Sequence, residues 1–176
     1  MKTIVPVETT TGIDALVALA HAIWREVFPP IIGWGQTEAM LRHYHSREDI
    51  EEEIAGGTQY FLIRRPGGAD AAAGADAAAA IGYLAFEIRE AHLFLSKLYL
   101  LEGERGKGLS TDLFDWIESQ ARAAGKGCVH LHVNKNNTQA IEVYRHKGFE
   151  VVDERLSPIG GGVVMDDYFM EKRLKP

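Results

Sequence analysis

The sequence contains only one cysteine, Cys128, so no disulfide bond can form within the chain. It contains no run of about 18 apolar residues, and we therefore expect no membrane-spanning helix. The first residues carry too few apolar side chains for a signal peptide, so a cytoplasmic protein is the expectation. Positive charge is also scarce, because 19 lysines and arginines stand against 25 acidic residues and give a net charge of −6. This balance argues against a protein that binds nucleic acid through its phosphates.

The rest of the composition is that of a globular protein. With 176 residues, 46% of them hydrophobic and 25% charged, the chain has the size of one domain, and we expect a single domain over residues 1–176. Cys128 lies in the apolar stretch Gly127–Val133, where we expect a small buried side chain and not a nucleophile.

Hydrophobic periodicity predicts strands and helices along the whole chain. Strands are predicted at residues 1–7, 59–64, 80–89, 92–101, 126–134, 149–155 and 163–173. Helices are predicted from the caps Thr10 and Thr11 to Pro29, from the cap Thr37 to His45, from the cap Ser46 over residues 47–55, and over residues 106–124 and 137–147. Residues 31–35, the low-complexity segment 66–79 and the glycine run 160–162 are predicted loops. Strands occur both in hairpins and before helices, which predicts an α/β fold with a mixed sheet.

A glycine-rich turn joins the strand that ends near Leu101 to the helix that follows. Gly106 and Gly108 allow the backbone to approach a ligand closely, and the helix presents its unpaired amides and positive dipole end there. Arg105 and Lys107 could add charge-assisted contacts to a phosphate or pyrophosphate. A plain glycine turn with solvated cations is the alternative. The turn is not a P-loop, because no Gly-Lys pair in it is followed by Ser or Thr. It is not a dinucleotide fingerprint either, because Thr111 takes the place of the third glycine.

A second informative stretch follows the strand at residues 126–134. Asn137 opens a helix, Ala140 and Tyr144 lie four residues apart on one face, and Gly148 ends the helix before Phe149. Taken alone, Asn137 is typical of an N-cap and Tyr144 of a core aromatic.

Together the two stretches resemble the GNAT superfamily of N-acetyltransferases. Residues 105–110 follow the cofactor motif [Gln/Arg]-x-x-Gly-x-[Gly/Ala] except in its last place, where the small Ser110 replaces Gly or Ala. The motif Asn-x-x-Ala-x-x-x-Tyr-x-x-x-Gly-Phe is matched in full by residues 137–149. The resemblance covers residues 81–174 well and implies an α/β (α+β) fold with a central mixed, mostly antiparallel sheet of six or seven strands and about four helices.

The resemblance implies acetyl-CoA as the cosubstrate and direct attack of an amine on its thioester. The backbone of Leu98, Tyr99 and Leu100 would pair with the pantetheine arm, and Asn137 would contact that arm near the reacting end. Tyr144 would be the general acid for the departing thiolate. The pyrophosphate would be held by the turn and the first helical turn, which comprise Arg105, Gly106, Lys107, Gly108, Leu109, Ser110 and Thr111.

The acceptor that the resemblance implies is a small primary amine. Residues 96–100 and 167–172 look like the diamine and polyamine acetyltransferase branch, and the loop Ile31–Trp34 is the expected wall of the acceptor pocket. A peptide N-terminus or lysine, and a non-catalytic acyl-CoA-binding module, remain as alternatives. Ser96 stands where some relatives place a carboxylate, so Glu26 and Glu87 are the candidate bases. Many relatives dimerise, and a homodimer is therefore the expectation.

No metal is expected from the sequence. His130 and His132 share one face of a predicted strand, but no third ligand lies at a recognisable spacing.

Overall fold

The computed structural model describes residues 3–65, 80–160 and 163–175. The predicted loop 66–79 and residues 161 and 162 of the predicted glycine run lie outside the described residues. The strands are β1 (Thr3–Pro6), β2 (Gln59–Arg64), β3 (Ala80–Ile88), β4 (Leu93–Leu100), β5 (Cys128–Asn134), β6 (Glu150–Gly160) and β7 (Val163–Arg173). The helices are α1 (Thr10–Val27), α2 (Pro29–Ile32), α3 (Trp34–Tyr44), α4 (Arg47–Ala55), α5 (Leu109–Ala123) and α6 (Thr138–His146).

The seven strands form one sheet in the order β1-β2-β3-β4-β5-β7-β6. The pairs β1–β2, β2–β3, β5–β7 and β6–β7 are antiparallel, whereas β4 and β5 are parallel. The parallel register joins Leu93 to Val129, Phe94 to His130 and Leu95 to Leu131, and β4 continues beyond it to Leu100. The predicted mixed, mostly antiparallel sheet is therefore confirmed.

The chain divides into two compact units. One comprises the residues up to Phe86 together with Lys97–Lys107, and the other comprises Glu87–Ser96 together with the chain from Gly108 onward. The expectation of a single domain stays a prediction. None of the helices in the described ranges combines the length and the apolar composition that crossing a membrane requires.

The first helices differ from the prediction at their ends. The N-cap of α1 is Thr9, whose hydroxyl accepts a hydrogen bond from the Gly12 amide, so the predicted caps Thr10 and Thr11 are wrong. Pro29 ends α1 as predicted but also begins α2, because proline at the first helical position loses no needed amide. The predicted loop after it is therefore largely helical.

Helix α3 begins at Trp34 and not at Thr37. Its N-cap is Gly33, which has a φ of 82°, a backbone conformation that glycine adopts without steric cost. Thr37 lies inside the helix, where its hydroxyl donates to the carbonyl of Gly33 at 2.8 Å. The predicted cap Ser46 of α4 is confirmed, since Ser46 and Asp49 form a reciprocal capping box.

The core of the first unit is an aromatic cluster on α1 and on strands β3 and β4. Trp24 stacks on Phe28 at 3.9 Å and donates its indole N–H to the hydroxyl of the buried Tyr83 at 3.0 Å. Tyr99 meets the Phe28 ring edge-on at 5.8 Å. The other buried members of this core include Val7, Leu16, Leu19, Ile23, Ile50, Tyr60 and Leu62.

In the second unit, α5 buries one face. Leu113, Ile117 and Ala121 recur every four residues and are buried. Along β5, Val129, Leu131 and Val133 are buried, while the alternate residues Cys128, His130 and His132 are more exposed. Cys128 belongs to the alternate set and is only partly buried, so the expectation of a buried thiol is wrong.

Candidate cofactor site

Strand β4 ends in a turn that an arginine stabilises. Arg105 donates two hydrogen bonds, from Nε at 3.0 Å and Nη2 at 2.8 Å, to the carbonyl of Leu100. These bonds fix the end of the strand to the turn that follows. The guanidinium therefore has a structural role here, and its contact with a pyrophosphate stays a prediction.

The strand residues before the turn lie against a glycine of β3. A Cβ atom placed on Gly82 would lie 2.4 Å from the carbonyl oxygen of Tyr99 and 2.6 Å from Cδ2 of Leu100. Only glycine permits this approach of the two strands. Gly82 therefore sets the position of the backbone at Leu98–Leu100, the segment expected to pair with pantetheine.

Two glycines of the turn have left-handed backbones. Gly106 has a φ of 70° and Gly108, the N-cap of α5, has a φ of 74°. A side chain strains this conformation, which costs about 1 kcal/mol. A Cβ at either position would meet no atom within 4 Å. The glycines are thus needed for the path of the backbone, and the space beside them is open.

The cationic side chain of the turn is partly neutralised. Lys107 Nζ lies 3.3 Å from the buried carboxylate of Glu104, which also contacts Arg65. The hydrogen bond from Arg65, followed by that from Lys107, holds the pKa of Glu104 below its usual range. The Lys107 side chain is 56% exposed, so it can turn toward a ligand.

In the second unit, the first turn of α5 borders an open groove. The groove has a volume of about 390 Å³ and is lined by Ser110, Thr111, Gln139, Glu142, Val143, His146 and Lys147. Lys147 Nζ donates to the hydroxyl of Thr111 at 2.6 Å and so connects the end of α6 to the start of α5. The groove therefore combines the positive end of a helix with the ammonium group of Lys147, and Glu142 adds one carboxylate.

Sequence reasoning selected Ser110 and Thr111 but missed the groove residues of α6. The positions 139, 142, 143, 146 and 147 recur at intervals of three or four and share one helical face. That spacing was available in the sequence as a signal. The spacing indicates a groove only when the structure shows that no neighbouring element covers this face of α6.

Asn137 caps α6. Its side-chain oxygen accepts a hydrogen bond from the Ala140 amide at 3.3 Å, and its own amide donates to the Asn134 carbonyl at 2.9 Å. The N-cap interpretation is confirmed. A contact between Asn137 and pantetheine stays a prediction.

Tyr144 extends from α6 toward two aromatic rings. Its ring lies edge-on to Phe114, with centroids 6.0 Å apart, and at the same distance from the Phe149 ring. Its hydroxyl makes no hydrogen bond to any residue that the structure describes. Loss of solvent raises the pKa of the Tyr144 phenol to about 12. The group is therefore protonated at neutral pH and has a donor available for a ligand.

The two predicted bases both have structural partners. Glu26 accepts a hydrogen bond from the Glu102 amide at 3.2 Å, and Glu87 pairs with Arg89 at 3.0 Å. A third carboxylate was not selected from the sequence as a base. Asp167 on β7 is in register with Asn134, at the end of β5 where α6 begins. Burial, and secondarily the charge of Asp166, raises the pKa of Asp167 to about 6.

The side chain of Lys97 is not available as a ligand group in this structure. Its Nζ pairs with Glu53 at 2.6 Å and lies 5.1 Å from the centroid of the Tyr60 ring. Trp34, in the predicted acceptor wall, is 62% exposed at the start of α3. Its exposure leaves the indole face accessible.

The mixed seven-stranded sheet and its helices define an α/β protein, and in its second unit the first turn of α5 borders an open groove. The model of the acetyltransferase (GNAT) family matches residues 22–149, which is more than half of the chain. The chain belongs to this family.

Solved structures share the fold over almost the whole chain. The PaiA N-acetyltransferase of Thermoplasma acidophilum, solved with coenzyme A, is 20% identical, with a TM-score of 0.76 over 98% of this chain and 99% of that one. The ribosomal-protein-S18-alanine N-acetyltransferase of Escherichia coli is 16% identical, with a TM-score of 0.69 over 100% and 96%. NAA60 of Arabidopsis thaliana, solved with a bisubstrate analogue, is 16% identical, with a TM-score of 0.67 over 99% and 100%.

A curated relative matches a shorter part. The chloroplastic GCN5-related N-acetyltransferase 6 of Arabidopsis thaliana is 30% identical over 60 residues. This alignment spans 34% of the present chain and 21% of the relative's length.

Proposed function

We propose that the protein transfers the acetyl group of acetyl-CoA to a primary amine by direct attack in a ternary complex. The observation that carries this proposal is the groove beside the first turn of α5, together with the available phenol of Tyr144 on α6. Family membership supplies the reaction, and the groove and the phenol supply the chemistry that it needs.

Coenzyme A would be held by α5 and the groove. The diphosphate would lie at the N-terminus of α5, where the helix dipole is positive. The adenosine end would occupy the groove, with Lys147 near its phosphate. Roles for Leu98–Leu100 and for Arg105–Lys107 in binding remain predictions of the family resemblance.

Tyr144 would act on the leaving sulfur. The amine nitrogen attacks the thioester carbonyl carbon, the C–S bond breaks, and the electron pair goes to sulfur. With the phenol pKa at about 12, full proton transfer to a thiolate of pKa about 8.5 is uphill by about 5 kcal/mol. Tyr144 therefore stabilises the developing thiolate mainly as a hydrogen-bond donor, and protonation is completed from solvent.

A base must take the proton that the amine loses. Asp167 is the best supported acceptor, because a carboxyl group with a pKa of about 6 is ionised at neutral pH and yet more basic than an ordinary aspartate. Its register with Asn134 places it at the strand end that leads into the Asn137 cap. Glu26 and Glu87 are less suited, since each is engaged in a structural contact.

The acceptor is proposed to be a small cationic amine, such as a polyamine. The net charge of −6 favours a cationic partner, and the exposed Trp34 offers an aromatic face for an ammonium group. A protein N-terminus is the second candidate, because one structurally similar protein is named for an alanine of a ribosomal protein. A cytoplasmic location and a homodimer also remain proposals.

The test is a thiol-release assay with acetyl-CoA against polyamines, amino acids, aminoglycosides and short peptides. We expect thiol release that depends on the amine and is greatest with polyamines. Activity on peptides alone would show that the acceptor is a protein amine and not a polyamine. Binding of coenzyme A without thiol release for any amine would contradict the catalytic proposal.

A further inference from the structure

A cluster of metal-ligating side chains lies on β5 and β7. Cys128 and His130 are two residues apart on β5 and therefore point to the same face of the sheet. Glu171 on β7 is in direct register with His130. One donor atom from each of the three side chains lies within 4.8 Å of the other two.

We propose that Cys128, His130 and Glu171 bind a divalent transition-metal ion of the zinc type. A thiolate, an imidazole and a carboxylate are the three ligand types that zinc accepts in proteins. Magnesium and calcium prefer sets made only of oxygen ligands, so the sulfur and nitrogen atoms select against them.

The ligands lie on a rigid frame. Cys128 and His130 are held by the antiparallel register of β5 with β7, and His130 also by the parallel register of β5 with β4. Side chains on paired strands are positioned more precisely than side chains on loops. The three donors are therefore preorganised to within small side-chain rotations.

The neighbours of the ligands orient them. Arg173 Nε donates to Oε1 of Glu171 at 2.9 Å, which leaves Oε2 directed at His130. His92 stacks on the His130 ring at 3.9 Å with the planes at 14° and so holds the imidazole orientation. Because the rings are nearly parallel, the nitrogen lone pairs of His92 run beside those of His130 and do not converge with them.

The ion would replace an existing hydrogen bond. His130 Nε2 and Glu171 Oε2 are 2.7 Å apart. Two ligands with bonds of about 2.0–2.1 Å to a tetrahedral ion are about 3.3 Å apart, so the pair must separate by about half an ångström. The Glu171 carboxylate then contacts the ion, and no longer the His130 imidazole, and neutralises part of the ion's charge.

Three protein ligands leave a fourth position open. The side chains of His130 and Glu171 are 29% and 19% exposed, so an ion and a water molecule can reach the cluster. Such an open site differs from a structural zinc site, which is closed by four protein ligands. The cluster shares no residue with the proposed coenzyme A site.

The sequence did not suggest this site, because His130 and His132 lacked a third ligand at a recognisable spacing. The third ligand comes from a strand 41 residues away. On β5, the second ligand beside His130 is Cys128, two residues earlier on the same face of the strand, and His132 is not a ligand. Instead, the His132 ring packs against Phe169, with centroids 3.7 Å apart.

The test is a titration of the full chain with Co²⁺, whose bond to a thiolate gives an intense ultraviolet charge-transfer band. Since Cys128 is the only cysteine, any such band reports this site. We expect one Co²⁺ ion to bind per chain and the Cys128→Ser variant to show no band. Added Zn²⁺ should displace Co²⁺ and abolish the band. His130→Gln and Glu171→Gln should weaken Co²⁺ binding by about tenfold or more.

A histidine outside the cluster gives a second readout. His132→Gln is the matched control, since it removes a histidine of the same strand face and should leave the band unchanged. Folding of each variant is checked by circular dichroism.

Two results would overturn the proposal. One is a folded native chain that gives no charge-transfer band with excess Co²⁺ at pH 8. The other is a band that Glu171→Gln and His130→Gln leave as strong as in the native chain, because the thiol would then bind cobalt without the cluster.

Discussion

The ring of Tyr144 meets the ring of Phe114 edge-on, with centroids 6.0 Å apart and planes inclined by 85°. This contact fixes the direction of the phenol from α6. The hydroxyl group itself has no hydrogen-bond partner among the described residues, so its position depends on ring packing alone. A phenol held in this way can be altered at its oxygen without disturbing the fold.

Tyr144→Phe is therefore expected to lower kcat by about tenfold or more, because positioned proton donors contribute about 10²–10⁴-fold. The KM for acetyl-CoA and the melting temperature should change little, since the ring and its two aromatic contacts remain. Thiol-release kinetics and thermal melting measure both quantities. Tyr44→Phe on α3 is the matched control. Unchanged turnover in Tyr144→Phe would remove this residue from the mechanism.

Gly108→Ala tests the left-handed cap of α5. An alanine at a φ of 74° is strained by about 1 kcal/mol, and relaxing the turn moves the amides that face the diphosphate. We expect the KM for acetyl-CoA to rise by about tenfold and the melting temperature to fall only slightly. Gly103→Ala is the control, because it lies in the same turn region without a left-handed φ and with open space for a Cβ. Equal effects of the two variants would refute the role of the cap.

Gly82→Ala tests the close approach of β3 to β4. The added Cβ would lie 2.4 Å from a backbone oxygen, so the strands must separate. Overpacking of this kind costs about 1–3 kcal/mol of unfolding free energy, and denaturant titration measures it. The KM for acetyl-CoA should also rise, because the displaced segment is Leu98–Leu100. Gly127→Ala, with no atom within 4 Å of its Cβ, should leave both quantities unchanged.

His45 is expected to make the protein sensitive to acid. It is 2% exposed, its Nε2 has no partner among the described residues, and burial lowers its pKa from 6.5 to about 3. The pKa of His45 in the folded state lies below its value in the unfolded state. The contribution of the neutral His45 to the free energy of unfolding is therefore complete above pH 6.5 and is lost as the pH falls toward 3. At pH 4.5 the loss is about 2–3 kcal/mol.

The difference in unfolding free energy between pH 7.5 and pH 4.5 measures this contribution. His45→Phe keeps a ring beside Trp24 and removes the titrating group, so its pH dependence should be weaker than that of the native chain. His43→Phe, at an exposed position of α3 two residues before His45, is the control and should behave like the native chain. An identical pH dependence in His45→Phe would contradict the assignment.

Features that depend on short-range patterns were predictable from the sequence. The bounds Gln59–Arg64 of β2, the cap Ser46 and the cap Asn137 follow from residue preferences that act within a few positions. The start of α3 was missed because Gly33, a weaker sequence signal, caps the helix instead of Thr37. Local preference does not decide between two acceptable caps when tertiary packing favours one of them.

Features that depend on strand register were not predictable. Glu171 meets His130 only because β7 returns antiparallel beside β5, and no spacing in the sequence encodes that pairing. The structural use of Arg105 was hidden for a related reason, since a cation in a glycine turn serves a ligand or a nearby carbonyl equally well. Here it donates to the carbonyl of Leu100.

The most direct test of the central claim is a calorimetric titration of coenzyme A into the native chain and two valine variants. Val143→Glu places a negative charge in the groove beside α5, whereas Val152→Glu places the same charge on an exposed valine of β6. The account predicts saturable binding by the native chain, affinity about tenfold weaker in Val143→Glu, and native affinity in Val152→Glu. No binding to the native chain at about 1 mM coenzyme A, or equal affinities in all three proteins, would contradict it.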